Sequence, residues 1–361
     1  MKILYVIESF GPGGKERRLS QLIDYFSEVD GVELEVVLTR EEFHYKTVLE
    51  KNIRIHAISK KLGVGKNSGF RQFYKICRNF KPDVIHTWGG LITVLAIPSS
   101  VLCGIPIIDG QVTATTHPPL WEKWLFYKIP FLFSKKVVSN SRLAFKVYGM
   151  PTRKSICIYN GFDFSRLNKV KDVQALRKDL SITTQYIVAM VASYVPLKDY
   201  KTFIEAAIQV LKTGKDVTFL GVGGQDPKVF QKYIPEEYED KIRLLRQRSD
   251  IESFMSMCDV GVLSSFSEGM PNVVLEFMAL GKAVIATPVG GVPELIDNNI
   301  DGFIFEIGDQ QHLSNLIVDL LDDESKRLEV GKKAARKIKE SFSSKKMNEA
   351  YLHLYKNILH K

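Results

Sequence analysis

SSFSEGMPNVVLEFMALGKAVIATPVGGVPELI, residues 264–296, is the stretch that decides the fold. The apolar run Val260–Leu263 leads into it and reads as a strand ending in Ser264-Ser265. A loop with Glu268, Gly269, Met270 and Pro271 follows, and a helix begins near Asn272, carrying Val273, Val274, Glu276 and Phe277. Pro271 suits the first helical position, where no amide donor is needed. Free amides at that helix start, with the positive end of the helix dipole, suit an anion such as a diphosphate. Gly269 lets a ligand approach the backbone closely. Glu268 in the loop and Glu276 on the first turns of the helix can reach different parts of one ligand. A carboxylate that accepts from two neighbouring hydroxyls is a natural way to hold a sugar. Ala283–Ala286 forms the next strand, so strand, loop, helix and strand alternate as in a βαβ unit.

The same alternation runs outward in both directions. Tyr186–Ala192, Val217–Val222 and Ile242–Leu245 read as strands, with a helix over Thr202–Leu211. Near the start, the apolar run Lys2–Ile7 ends in the turn Gly11-Pro12-Gly13-Gly14, and Leu19, Leu22, Ile23 and Phe26 then recur at helical spacing. Leu34–Thr39, Val84–His86, Pro106–Ile108, Lys136–Ser139 and Ser155–Ile158 are further strands, and Leu91–Leu102 is a helix. The polar, weakly patterned segment Asn160–Asp179 separates the two series, and Gln311 through Tyr355 is helical. The expected class is therefore α/β, with two Rossmann-like domains facing across a cleft. Residues 1–165 form the first domain, 166–340 the second, and 341–361 a helix crossing back towards the first.

Of the 361 residues, 45% are hydrophobic and 25% charged, an ordinary globular balance. No stretch is long and apolar enough for a membrane span. MKILYVIESFGPGG breaks its apolar run at Glu8 and lacks a small-residue cleavage site, so it does not read as a signal peptide. Cys77, Cys103, Cys157 and Cys258 are scattered, without metal-ligand spacing, and the expectation is a reduced, cytoplasmic protein. The net charge of +9 is uneven: residues 1–165 hold 23 Lys/Arg and 14 Asp/Glu, and the remainder balances. An excess confined to one half points to an anionic partner, and no nucleic-acid motif accompanies it.

EGMPNVVLE, Glu268–Glu276, resembles the E-x7-E motif of retaining glycosyltransferases of the two-domain GT-B type, and family 4 (group 1) is the nearest pattern. Other pieces agree in the same order: GPGGKERR (11–18), PDVIHTWGG (82–90), IYNGFD (158–163), VPLKDYKTFIEA (195–206), RSDIESFMSMCDVGVLSSFSEG (248–269) and GKAVIATPVGGVPELI (281–296). The resemblance covers nearly the whole chain. It implies that the first domain binds the acceptor and the second a nucleotide-sugar donor, with UDP-sugars favoured. Glu268 then contacts the donor sugar and Glu276 the ribose hydroxyls. The backbone of Gly269, Met270, Pro271, Asn272 and Val273 is then the stretch against sugar and phosphate. Gly13 and Gly14 approach the diphosphate, and Lys198 neutralises it as it leaves. A mobile ammonium there stabilises developing charge without a metal. No D-x-D motif is present, so neither a metal nor another cofactor is expected.

Two departures stand out. Relatives carry an arginine five residues before the lysine, where this chain has Ser193; Arg17, Arg246 and Arg248 are the substitutes to consider, and Arg248 joins the donor-site set. Relatives often have a histidine where Val112 stands, and Gln111 and His117 flank it. His86, at the preceding strand end, joins them as an acceptor-side residue. In residues 120–136, Trp121, Trp124, Phe126, Tyr127, Phe131 and Phe133 interleave with Lys123, Lys128, Lys135 and Lys136. That pattern suits either a membrane interface beside a lipid-linked acceptor or a helix packed on the sheet.

The expected function is retaining transfer of a sugar to a glycan or lipid-linked oligosaccharide in surface polysaccharide biosynthesis. The expected place is the cytoplasm, with peripheral contact at an anionic membrane. A sugar-nucleotide epimerase of the same architecture and an inactive carbohydrate- or nucleotide-binding relative are the alternatives. A nicotinamide dehydrogenase fits less well, since GPGG is not G-x-G-x-x-G.

Overall fold

The computed structural model describes every residue except 12, 59–67, 112–120, 122–123, 171 and 360–361. It divides into two units, Met1–Asn160 with Lys346–Lys361, and Gly161–Lys345.

The first unit is built on seven parallel strands: β1 (Lys2–Ile7), β2 (Glu33–Leu38), β3 (Arg54–Ala57), β4 (Val84–Trp88), β5 (Ile107–Gln111), β6 (Lys136–Ser139) and β7 (Ser155–Cys157). Their order is β3-β2-β1-β4-β5-β6-β7. Helices Gly14–Phe26, Gly69–Phe80 and Gly90–Cys103 are the main crossovers. The central strands are buried along their whole length, as a parallel sheet covered on both faces requires. One face packs on the last helix, Ser344–Leu359, through Met347, Tyr351, Leu354, Tyr355 and Ile358. Those apolar positions recur at three and four residues and so form one stripe.

The second unit has six parallel strands: β8 (Tyr186–Val191), β9 (Val217–Gly223), β10 (Ile242–Arg246), β11 (Val260–Leu263), β12 (Ala283–Ala286) and β13 (Phe303–Ile304). Their order is β10-β9-β8-β11-β12-β13. The strand order reverses between β8 and β11, which pair directly at Val260–Val188 and Val262–Met190. In open parallel sheets such a reversal leaves a crevice beyond the carboxyl ends of the two strands. The first unit has its own reversal between β1 and β4.

Among the elements that lie outside the apolar pattern read from the sequence are β3, the helix Gly69–Phe80 and β13. β3 is Arg-Ile-His-Ala on the sheet edge and β13 only two residues long, so neither makes a buried apolar run. The helix starts on a Ser68 cap whose hydroxyl accepts from the Arg71 amide at 3.2 Å, a local signal rather than a periodic one.

Candidate functional site

At the β8–β11 reversal two loops are stitched together. After β8 the chain runs through Ser193 to a short turn, Pro196–Lys198, and then to the helix Tyr200–Lys212. Asp199 caps that helix in the left-handed conformation, φ 48°, accepting from the Thr202 hydroxyl at 2.6 Å and the Thr202 amide at 3.3 Å. Burial pushes the Asp199 carboxyl up in pKa, and the Thr202 hydrogen bonds oppose the shift. A non-glycine residue holds this backbone only where its surroundings enforce it. The result is a fixed Lys198 immediately before the helix. After β11, the Ser264 hydroxyl donates to the Asp199 carbonyl at 2.9 Å, and the Phe266 amide to the Leu197 carbonyl at 2.9 Å.

Glu268 and Glu276 are only 9% and 6% exposed, far more buried than carboxylates usually are without a partner. Each has a cation. Lys198 Nζ donates to Glu268 Oε1 at 2.5 Å, and the Ser265 hydroxyl donates to the same oxygen at 2.7 Å. Arg166 Nη1 lies 2.9 Å from Glu276 Oε1, while its Nε donates to Glu252 Oε1 at 2.6 Å. The Arg166 guanidinium also stacks over the Phe162 ring, 5.1 Å from its centroid. Gly290 supports the loop from below: its φ is +56°, and a Cβ there would lie 2.3 Å from the carbonyl oxygens of both Glu268 and Gly269. No other residue combines that backbone with that approach. The helix behind Glu268 spans Asn272–Ala279, with Pro271 extended at its cap position rather than inside the first turn.

In the first unit, a concavity of about 170 Å³ opens beyond the carboxyl ends of β1, β2 and β4, lined by Glu8, Lys15, Thr39, Trp88, Gly89 and the start of the helix Gly90–Cys103. Gly13 caps the helix Gly14–Phe26, and its carbonyl accepts from the Tyr45 hydroxyl at 3.2 Å.

Residues 172–337 match the family described as glycosyl transferases group 1. The stretch 172–337 of this chain thus falls in the group 1 glycosyltransferase family. A relative in Escherichia coli, a UDP-Gal:alpha-D-GlcNAc-diphosphoundecaprenol alpha-1,3-galactosyltransferase, is 26% identical over 299 residues, 78% of this chain and 77% of that one. A Campylobacter jejuni relative, an N,N'-diacetylbacillosaminyl-diphospho-undecaprenol alpha-1,3-N-acetylgalactosaminyltransferase, is 33% identical over 183 residues, 50% of this chain and 47% of that one. The chain spans about half the length of several relatives it matches, 55%, 47% and 53% in three of them. Anabaena HepE, solved with UDP-glucose, superposes with a TM-score of 0.84 at 22% identity, covering 99% of this chain and 100% of that one. That likeness establishes the GT-B fold.

Within this stretch the structure brings Lys198, Ser265 and Glu268 together, and sets Glu276 about one turn into the helix that starts at Asn272. Three sequence-derived candidates have other partners. Arg248 pairs with Asp250, with contacts of 2.8 and 2.7 Å in a bidentate arrangement. His86 is not in a strand-end loop but inside β4, fully buried between Tyr5, Trp88 and Tyr351. Its Nδ1 is 2.7 Å from the Tyr355 hydroxyl, and burial pushes its pKa down to about 3. It is a neutral core histidine, which corrects its placement on the acceptor side. Gln111 is also buried: its Nε2 donates to both Asp109 oxygens at 3.0 Å, and Thr93 donates to Asp109 Oδ1 at 2.8 Å. Desolvation raises the Asp109 carboxyl to about 6, against the stabilising hydrogen bonds from Gln111 and Thr93. His117 lies outside the described residues.

Sequence reasoning missed Arg166 and Glu252. Arg166 follows the Asn160-Gly161-Phe162-Asp163 element by three residues, in a segment whose weak patterning read as mere linker. Asp163 caps the turn Phe164–Lys169 by accepting from the Ser165 amide at 3.0 Å, which fixes the direction of Arg166.

Proposed function

We propose that this protein transfers a sugar, with retention of anomeric configuration, from a nucleotide-sugar to a glycan or lipid-linked oligosaccharide in surface polysaccharide biosynthesis, with a UDP-sugar as donor. One observation carries the reading: two buried carboxylates eight residues apart, at the carboxyl end of β11 and on the helix after it, each held by its own cation. A donor bound there exchanges those ion pairs for its own groups. Sugar hydroxyls take up the Glu268 oxygens, and Lys198 is released towards the diphosphate whose charge grows as the bond to the sugar breaks. A preorganised cation in a poorly solvated site is worth more to the transition state than to the ground state. Ribose hydroxyls donate to Glu276, which Arg166 holds in place. The leaving diphosphate oxygen takes the acceptor proton, so Glu268 holds the sugar and performs no nucleophilic attack. Lys198 supplies the positive charge in this scheme, and no metal is assigned to it.

The relatives support the donor and acceptor classes, since the E. coli protein is named for a UDP-sugar and an undecaprenol-linked acceptor. The protein works at the cytoplasmic face of a membrane, where such acceptors are held. Among the described residues no helix is long and apolar enough to cross one.

A thermal-shift panel of sugar nucleotides, followed by transfer assays with an undecaprenyl-diphosphate-sugar acceptor and NMR of the product linkage, tests the proposal. Selective stabilisation by one UDP-sugar and an axial or equatorial linkage matching the donor are expected. A product formed from the donor alone makes the protein an epimerase, and donor binding without any turnover makes it an inactive relative.

A further inference from the structure

Close to Gly89, which lines the concavity of the first unit, lies a buried carboxylate whose hydrogen-bond partners are all uncharged. Asp109 on β5, Thr87 on β4 and Thr93 near the start of the helix Gly90–Cys103 are inaccessible to solvent, and Gln111 is nearly so. Asp109 Oδ1 accepts from the Thr93 hydroxyl at 2.8 Å, and Gln111 Nε2 donates to both carboxylate oxygens at 3.0 Å. A carboxylate buried without a cation keeps its proton to a higher pH than usual, and desolvation takes this one to about 6. Around it, β4 presents His86, which burial keeps neutral down to about 3. β6 presents Lys136, which donates to the Arg153 carbonyl at 3.4 Å. The helix Gly90–Cys103 and the segment Ile129–Phe133 carry no charge, Lys128 before that segment donates to the Gly149 carbonyl, and Glu8 and Lys15 line the concavity beside Gly89.

The hydroxyls next to Asp109 have two settings. Thr93 has one hydroxyl proton and three oxygens in reach: Asp109 Oδ1 at 2.8 Å, Thr87 Oγ1 at 2.7 Å and the Gly89 carbonyl at 3.1 Å. Thr87 reaches either Thr93 Oγ1 or the Ile108 carbonyl, the latter at 3.2 Å. With Asp109 ionised, Thr87 donates to Thr93 and Thr93 to the carboxylate. With a proton from water on Oδ1, Asp109 donates to Thr93 instead. Thr93 then turns onto the Gly89 carbonyl and Thr87 onto Ile108, while Gln111 keeps its bond to Oδ2. Every buried donor has an acceptor in both settings, as burial demands, and no heavy atom has to travel.

The two settings differ at Gly89. Its φ of +127° suits glycine alone, and its carbonyl already accepts the first bond of the helix, from the Thr93 amide at 3.0 Å. A carbonyl oxygen has a second lone pair. We infer that Asp109 is a proton-operated positioning residue: ionised, it draws the Thr93 hydroxyl away from Gly89 and leaves that carbonyl to a hydroxyl of a ligand in the concavity; protonated, it returns Thr93 to Gly89. The ligand class, a hydroxylated sugar acceptor, rests on the proposed transfer reaction, whereas the switch is testable without donor or acceptor.

The test is NMR of the full chain with ¹³C in the aspartate carboxyls and glycine carbonyls, titrated from about pH 8 to about pH 4.5. One carboxyl should titrate near 6, be missing from Asp109→Asn, and share its midpoint with a shift of the Gly89 carbonyl. A midpoint in the ordinary aspartate range near 4, or a Gly89 signal that stays still, would overturn the inference, and both are read from the wild-type protein. Thr93→Val should uncouple Gly89 from the carboxyl and Thr93→Ser should restore the coupling; coupling that survives Thr93→Val sinks the relay. In transfer assays the acceptor KM should rise about tenfold as pH falls through the midpoint, with donor KM steady, as loss of one hydrogen bond implies. Asp109→Asn, accepting from Gln111 through Oδ1 and donating to Thr93 through Nδ2, should show the raised KM at every pH. An acceptor KM that ignores the midpoint in wild type overturns the role at the ligand. A coupled NMR titration in a protein that transfers no sugar from any donor would instead sink the glycosyltransferase reading and leave the switch standing.

Discussion

The two units carry the same device, a reversal of strand order beside the first strand of a parallel sheet, and they furnish it in opposite ways. At β8–β11 the crevice is lined with charge: Lys198 on Glu268 and Arg166 on Glu276. At β1–β4 the strand ends carry Trp88 and a neutral, buried His86, and the concavity beyond them has an apolar wall on the helix Gly90–Cys103. The contrast teaches that fold alone sets where a ligand goes, and side chains set what it is. The first reversal is equipped for a charged, hydroxylated ligand held by ionic pairs. The second offers shape and apolar surface with a single lysine and glutamate, Lys15 and Glu8.

That contrast can be broken experimentally. The largest effect is expected from Glu268→Ala, which should lower transfer by more than about a thousandfold by removing the sugar contact and stranding Lys198. Far-UV circular dichroism should be unchanged, and wild-type turnover in this variant would remove Glu268 from the site. Lys198→Ala should reduce kcat by about 10²–10³ with a smaller change in donor KM, since its charge matters most as the diphosphate departs. An unaltered kcat would move the cationic role to another residue. Gly290→Ala should destabilise the chain by about 1–3 kcal/mol in urea unfolding, because a Cβ at positive φ would also push on the Glu268 carbonyl. Equal midpoints for the two proteins would show that the loop is not held from below.

Two smaller effects sharpen the comparison. Arg166→Ala should raise donor KM about tenfold with kcat nearly kept, and Arg166→Lys should restore part of it. The same variant should discriminate less between UDP and 2′-deoxy-UDP as inhibitors; unchanged discrimination would detach Arg166 from the ribose. His86→Phe should leave transfer unaltered and change only the acid limb of stability. The folded chain resists protonating His86 until about pH 3, whereas the unfolded chain takes a proton near 6.5. Stability is therefore lost as pH falls through that window, by up to about 1.4 kcal/mol per unit, and the substitution should flatten the slope. A steep fall of activity in His86→Phe would return the residue to the site.

The ion pairs also explain why the site is recognisable before any ligand arrives. Glu268 accepts from Lys198 and Ser265 at once, so the oxygens a sugar would use are already oriented. Preorganisation of this kind lowers the cost of ordering side chains on binding.

The strands of both sheets were legible in the sequence wherever they were central, because a parallel strand covered on both faces must be a continuous apolar run. So were the loop and helix from Glu268 to Glu276, where a Gly-Met-Pro turn leads into an apolar helical pattern. Edge strand β3 was not, since its sequence Arg-Ile-His-Ala mixes polar and apolar residues and leaves no such run. Which charges meet was decided only in three dimensions. Arg166 and Glu276 are separated by 110 positions in the chain and by 2.9 Å in space, and Arg248 found Asp250 rather than a vacant site. Likewise β4 and the last helix buried His86, which a strand-end position alone could equally have left in solvent. Periodicity records how each segment is covered; it does not record which segments the crossovers bring together, and that is where the ion pairs and the neutral histidine arise.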